Sequence, residues 1–412
     1  GTVQSCMVRD ISAVALSQLS DDKLVYIEKK RILAMKIAQK SLREIQPEFR
    51  VAVVGSSNLD PYVNELELRL NEAVPDRIAR FYSNPFGQLA NEILVRKSIL
   101  MHFNAELTFF VDRIEDLLGV VNIEHLDDVN IVKVVENYCV LIQKYLNVNK
   151  GKVFIHSLTA NAASCSSGQE KITNILKEQN DLIDSYFSDH DKVFMIDISA
   201  IAQKSSTYFD PRTWYIGRFP YSHGMTKQIV KKWSRIALSQ MGKTIRLIVL
   251  DLDNTLWGGV VGEDGVEGIR IGGDYPGNCF RDFQMMLKGL SKNGIALAIC
   301  SKNDEEIALK AFESRTSMVL STEDIVAHKI NWAPKYQNIQ ELCKELSLGL
   351  DSVLFIDDNP VERQAVKTNL PEVKVLDLPK DPALYATALD ECLWLETFSV
   401  SDLDRRRVAS YK

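Results

Sequence analysis

Two aspartates separated by one residue, Asp251 and Asp253, follow the apolar run Ile245–Leu250. A second acidic pair, Asp357 and Asp358, follows the run Ser352–Ile356. Between them, Ser301, Lys302 and Asn303 follow Ile295–Cys300, and Lys335 stands 22 residues before Asp357. These residue types suit phosphoryl transfer. One carboxylate can attack phosphorus and form an aspartyl-phosphate. Another can pass a proton to the leaving group and take one from water. A hydroxyl and an ammonium can hold the remaining phosphate oxygens. The crowded negative charge calls for a hard dication, and magnesium held by a few carboxylates plus phosphate oxygens fits. Either acidic pair alone would read as solvated turn residues. Four elements in this order after three apolar runs are what point to chemistry.

The runs themselves read as strands of a parallel sheet covered on both faces, because they are continuously apolar rather than alternating. Helical patterns separate them: Phe280–Lys292, Asp304–Glu313 and Tyr336–Leu346, with a last strand at Val373–Leu376. In such a sheet, ligands bind at the carboxyl ends of the strands, which is where all of the residues above stand. The N-terminal half also alternates strand and helix, with strands expected at Arg50–Val54, Arg77–Tyr82, Glu106–Val111, Lys152–His156 and Val193–Ile196. An amphipathic stretch, Leu24–Ile45, precedes them. At 412 residues the chain exceeds one core, so two α/β domains are expected, residues 1–240 and 241–412, with the hinge at Met241-Gly242-Lys243.

The formal net charge of -6, from 49 basic and 55 acidic residues, offers no basic footprint for nucleic acid. No apolar run approaches the roughly 18 residues of a membrane span. Seven cysteines without a CxxC pair argue against a zinc site or a disulfide framework and for reduced thiols, hence a cytoplasmic protein. No signal-peptide pattern opens the chain, and its Gly-Thr-Val start reads as a tag remnant or a piece of a larger polypeptide.

The order Asp-x-Asp-x-Thr, then Ser, then Lys, then Asp-Asp resembles the haloacid-dehalogenase superfamily. The wording LDLDNTLWGGVVGEDG (Leu250–Gly265), LAICSKND, INWAPKYQNI and FIDDNPVE is similar to the FkbH-like family, over roughly Ile245 to Tyr411. That resemblance implies a Rossmannoid sheet, and the short span between the first two motifs, which includes Gly258–Gly273, leaves room for a hairpin flap as a minimal cap but not for a large one. The resemblance implies Asp251 as nucleophile and Asp253 as acid/base. It further implies Mg2+ held by Asp251, Asp253, Asp357 and Asp358, and phosphate held by Ser301, Lys302, Asn303 and Lys335. FkbH-like proteins load a glyceryl unit from 1,3-bisphosphoglycerate onto the phosphopantetheine arm of an acyl carrier protein for polyketide assembly, with dephosphorylation and a protein thioester.

Such a thioester needs a cysteine. Cys279, at the expected start of a helix after the N-cap candidate Asn278, sits where unpaired N–H groups favour a thiolate. Its other reading is a half-buried helix-start residue. Cys300 directly precedes Ser301 on a strand, so it should face the opposite side and serve as core. In the N-terminal half, Gly55-Ser56-Ser57, Gly87, Asn161 and Asp210…His223 follow the order of an SGNH-hydrolase-like fold. A Ser56–His223 pair is weighed there against a plain turn, and a docking or lid role is favoured over esterase chemistry. Lys227, Lys231 and Lys232, or Arg405, Arg406 and Arg407, are the candidate basic patches for an acidic carrier. Two rival readings stand beside the transferase: a magnesium-dependent phosphatase of a small metabolite, and a non-catalytic carrier-docking module.

Overall fold

A computed structural model describes residues 48–74, 77–120, 128–160, 166–203, 208–314 and 316–395. The stretch Leu24–Ile45, Asn161 and the arginines 405–407 lie outside them. The chain forms two compact units, one within residues 48–59, 70–156 and 167–195, the other within 60–69, 157–166 and 196–395. The helix His223–Gln240 therefore packs with the C-terminal sheet's unit. Among the described residues no helix is long and apolar enough to cross a membrane.

The N-terminal unit is a five-stranded sheet of order β2-β1-β3-β4-β5. Its strands are β1 (Glu48–Val54), β2 (Ile78–Ser83), β3 (Leu107–Phe110), β4 (Lys152–His156) and β5 (Val193–Ile196). β1 runs parallel to both β2 and β3, and β3 to β4. All five strand expectations find their strand within a residue or two.

The C-terminal unit holds a second sheet, order β10-β9-β6-β7-β8. Its strands are β6 (Leu247–Leu250), β7 (Ala296–Ser301), β8 (Ile325–Ile330), β9 (Val353–Asp357) and β10 (Lys374–Asp377). Every pairing is parallel. Side chains alternate across it, as strand geometry requires. Ile248, Leu250, Leu297, Ile299, Leu354 and Ile356 join one core, under the helix Gly277–Lys292. Leu247, Val249, Ala298, Cys300, Val353 and Phe355 join the other, under the helix Lys335–Glu345. Burial on both faces explains why these strands read as continuous apolar runs. The chain leaves β6 toward β7 and β8, then returns to β6's other side with β9 and β10. The crevice at the carboxyl end of β6 is thus a topological switch point, where doubly wound sheets bind ligands.

The segment after β6 differs from a plain hairpin. Gly258 and Arg270 exchange two backbone hydrogen bonds, Gly258 N to Arg270 O at 3.0 Å and Arg270 N to Gly258 O at 2.8 Å. Between them lies a short helical stretch, Val261–Gly268, broken at Gly265. Gly259 is needed at the neck of this flap. Its φ is 99°, and a Cβ there would meet Asp264 Oδ2 at 2.5 Å.

Candidate active site

The tips of β6, β7 and β9 supply the site, with Lys335 from the first position of the helix Lys335–Glu345. A cavity of about 350 Å³ is lined by Asp251, Asp253, Asn254, Ser301, Lys302, Lys335, Asp358, Asn359, Pro360 and Glu362. Oxygens of Asp251, Asp357 and Asp358 all lie within 4.8 Å of one another. Lys335 Nζ stands 2.7 Å from Asp251 Oδ1 and 2.6 Å from Asp357 Oδ2. Asp357 Oδ1 also accepts from Asn359 N at 2.8 Å, and Thr255 Oγ1 accepts from Asp358 N at 3.1 Å. The last of these bonds ties the tip of β9 to the turn after β6.

Charge balance tests whether a cation fits. The cavity is lined by four carboxylates, Asp251, Asp253, Asp358 and Glu362, against two ammonium groups, Lys302 and Lys335. Burial first, and then the Asp251 charge, push Asp357 and Asp358 each up to about 6 despite the opposing pull of Lys335. Burial alone would lower the Lys335 ammonium, yet Asp251 and Asp357 together hold it above its ordinary value. A trio of hard oxygen donors, short of positive charge, with Asp251 and Asp358 lining the cavity and Asp357 buried, has the composition of a magnesium-type site.

The structure divides the expected metal ligands. Asp251, Asp357 and Asp358 converge, but the Asp253 carboxylate does not join them. Its Oδ1 accepts from Trp257 Nε1 at 2.9 Å and from Val261 N at 3.0 Å. Its Oδ2 accepts from Asn303 Nδ2 at 2.8 Å. Those three donors orient Asp253 in the cavity wall beside the trio, a placement suited to proton transfer. The expected phosphate-binding group also divides. Ser301 and Lys302 line the cavity, whereas Asn303 works through Asp253 and Ser301, donating to Ser301 Oγ at 3.3 Å. Lys335 lines it as the bridge between two carboxylates. Lys302 Nζ is 2.6 Å from Glu362 Oε1. Glu362 was not singled out in the sequence, because a glutamate in the first turn of a helix ordinarily serves the helix dipole.

Of the two thiol candidates, Cys279 departs from its expected setting. The helix begins at Gly277 with Pro276 as its N-cap, so Asn278 is not the cap. Asn278 instead accepts from Cys279 Sγ at 3.4 Å. Burial raises the Cys279 thiol, and the carboxylates Asp381 and Asp282 raise it further. Burial and these two charges hold the thiol above its ordinary value against a lowering backbone hydrogen bond. Cys279 lines neither this cavity nor the one adjoining it. Cys300 faces the core with Cys343 and Phe355, as its strand position implied. Burial pushes its thiol up to about 12.

Elsewhere, Ser56 lines a separate cavity of about 510 Å³ in the N-terminal unit. Its N donates to Asp112 Oδ1 at 2.6 Å. Asp210 caps the helix Pro211–Gly217, and His223 opens the helix His223–Gln240 at an exposed position. Lys231 leaves the list of docking lysines, because it is 4% exposed and paired with Asp390 at 3.1 Å and Glu391 at 2.7 Å.

No protein-family model and no curated protein sequence matches this chain. Among solved structures, a GDSL-like lipase from Bacteroides thetaiotaomicron aligns with 50% of this chain and 95% of its own, at 16% identity and a TM-score of 0.28. The N-terminal part of the protein BF1531 from Bacteroides fragilis, containing a phosphatase domain complexed with Mg, aligns with 88% of this chain and 99% of its own. Its identity is 26% and its TM-score 0.74. The C-terminal sheet, with its four motifs and its short flap in place of a large cap, is thus a haloacid-dehalogenase-like Rossmannoid fold preceded by a second α/β domain.

Proposed function

We propose that the C-terminal unit is a magnesium-dependent phosphatase working through an aspartyl-phosphate on Asp251. The observation that carries this reading is the cluster of Asp251, Asp357 and Asp358 oxygens beside a cavity that Asp251, Asp253, Asp358, Ser301 and Lys302 line. Asp251 attacks phosphorus, the bond from phosphorus to the leaving oxygen breaks, and the Asp253 carboxyl delivers a proton to that oxygen. Asp253, now ionised, takes a proton from water. The hydroxide attacks the phosphoryl group, and inorganic phosphate leaves as Asp251 is regenerated. Ser301 and Lys302 hold the non-reacting phosphate oxygens. Asp251, Asp357 and Asp358 would hold Mg2+, which supplies charge neutralisation on the phosphoryl oxygens. The likeness to the Mg-complexed phosphatase domain of BF1531 supports both the reaction class and the ion. Phosphate release from p-nitrophenyl phosphate or acetyl phosphate, abolished by EDTA and restored by magnesium, is the test. Metal-independent release, or none from any ester or acyl phosphate, would sink it.

The narrower reading is glyceryl transfer from 1,3-bisphosphoglycerate to the phosphopantetheine thiol of an acyl carrier protein, in polyketide biosynthesis. The motif wording supports it, and so does a second, larger cavity that shares Asn254, Asp358 and Pro360 with the first. Cys279 lines neither cavity and Cys300 is buried in the core, which favours direct transfer to the carrier's thiol over a thioester on this chain. Five free cysteines among the described residues fit a reducing cytoplasm. Incubation with donor and carrier, followed by intact mass of the carrier, tests this reading. A glyceryl adduct supports it. Free phosphate with an unmodified carrier leaves the phosphatase alone, and carrier binding without phosphate release leaves a docking module.

A further inference from the structure

The second cavity has a chemical character opposite to the first. It measures about 590 Å³, and its lining carries three cations, Arg270, Arg363 and Lys380, against one carboxylate, Asp358. Arg363 is already engaged, since its Nη1 donates to the carbonyls of Asp357 and Asp358, both at 2.7 Å. Arg270 and Lys380 are exposed, and among the described residues neither side chain has an ion-pair partner. The main chain of Arg270 is held in the flap by its two backbone bonds to Gly258. Lys380 follows Leu378 and Pro379, on the segment after β10. The same cavity is also lined by Pro276, Phe280 and Tyr385. Tyr385 is anchored by its hydroxyl on the Asn254 carbonyl at 3.0 Å.

The two cavities meet at Asn254, Asp358 and Pro360. A phosphoryl group held by Ser301 and Lys302 leaves the rest of its molecule to pass Asp358 into the larger space. Cations that line an open cavity without an ion-pair partner attract anionic oxygens, and an arginine can meet a carboxylate or phosphate with two parallel N–H donors. We infer that Arg270 and Lys380 form a specificity subsite for a second anionic group, a carboxylate or a phosphate, at the far end of the phosphorylated substrate. The apolar wall then accommodates the carbon skeleton between the two anions. This inference rests on the phosphatase reading of the first cavity.

The test measures binding by calorimetry to the Asp251→Asn chain with magnesium, so that turnover does not interfere. Inorganic phosphate reports on the first cavity alone. Sorbitol 6-phosphate carries no distal anion, 6-phosphogluconate carries a distal carboxylate, and fructose 1,6-bisphosphate a distal phosphate. Binding of one or both distal anions about tenfold tighter than sorbitol 6-phosphate is expected, with the preference shrinking as salt rises. Arg270→Gln with Lys380→Gln should bring that ratio close to one. Which probe gains shows whether carboxylate or phosphate is preferred. Phosphate binding without any preference, or a preference that survives the double substitution, overturns the subsite alone. Failure of inorganic phosphate to bind overturns the reading of the first cavity, and the subsite with it.

Discussion

The Nζ of Lys335 lies 2.6 Å from Asp357 Oδ2, and the two side chains are 4% and 0% exposed. This is a buried ion pair, shared with Asp251, in which one ammonium serves two carboxylates. Removing one partner of such an arrangement leaves charge without compensation, and typical losses are about 3–5 kcal/mol. Lys335→Met should therefore lower the melting temperature markedly. Magnesium should restore more stability to this variant than to the parent, since a dication at the trio replaces the missing charge. Differential scanning fluorimetry with and without millimolar magnesium checks both parts. An unchanged melting temperature in Lys335→Met would mean that the bridge contributes nothing.

Asp251→Asn is nearly isosteric and keeps the backbone bond from residue 251 N to Ile356 O. It removes the attacking carboxylate. Phosphate release should fall by roughly a thousandfold or more, with the fold intact. Release at the parent rate in a stopped assay would rule out the aspartyl-phosphate.

Asp112, 2% exposed, has its carboxyl pushed up to about 7, by burial first and by Asp116 next, against hydrogen bonds from Ser56 and Tyr138. Between about pH 4 and pH 7 the unfolded chain has lost this proton while the folded chain keeps it. The folded state then binds more protons, so this group's contribution to stability falls as pH rises through that window. Asp112→Asn removes the dependence. It should stabilise the protein at pH 8, by on the order of 2–4 kcal/mol, and by far less at pH 4. Urea melts at the two pH values check this, and an equal effect at both would contradict it.

The Cys279 thiol, raised by burial, Asp381 and Asp282, should react with iodoacetamide at pH 7 no faster than a thiol of an unfolded peptide. Cys300, buried in the sheet's core, should react only on unfolding. Peptide mapping after timed alkylation measures both. Preferential, rapid labelling of Cys279 would restore it as the acyl carrier within this chain.

The parts of the fold legible in the sequence were those whose side chains answer to a single demand. β6, β7 and β9 are buried on both faces, so their composition announced them, and their polar ends announced the site. β8 went unread because Ile325–Ile330 carries His328 and Lys329, which serve ion pairs at the sheet's edge with Glu305, Glu341 and Glu345. An edge strand with charges lacks the apolar run that betrays a central one. Asp253 was legible as a site residue but not in its bonding. Its donors Trp257, Val261 and Asn303 come from the flap and from the next strand's tip, contacts that only folding brings together. Cys279 misled because the helix-terminus argument is local, while the carboxylate of Asp381 arrives from about a hundred residues away.

One tie at the upstream edge of the C-terminal unit has a bearing on its independence. Lys231 pairs with Asp390 and Glu391, and one turn later Arg235 donates to the carbonyls of Asp390 and Cys392. Arg235 thus satisfies two carbonyls at the C-terminal end of the helix Tyr385–Glu391, where positive charge also meets the negative end of the helix dipole. Tyr385 in that helix packs edge-on against Phe280 and Phe283, at 5.8 and 5.6 Å between ring centres, and props the Asn254 carbonyl beside the catalytic turn. The smallest autonomous piece of this molecule that keeps a formed site therefore starts upstream of the Met241-Gly242-Lys243 hinge. Severed at that hinge, the C-terminal half would lose the clasp on the helix Tyr385–Glu391, and its unfolding would begin beneath its own site.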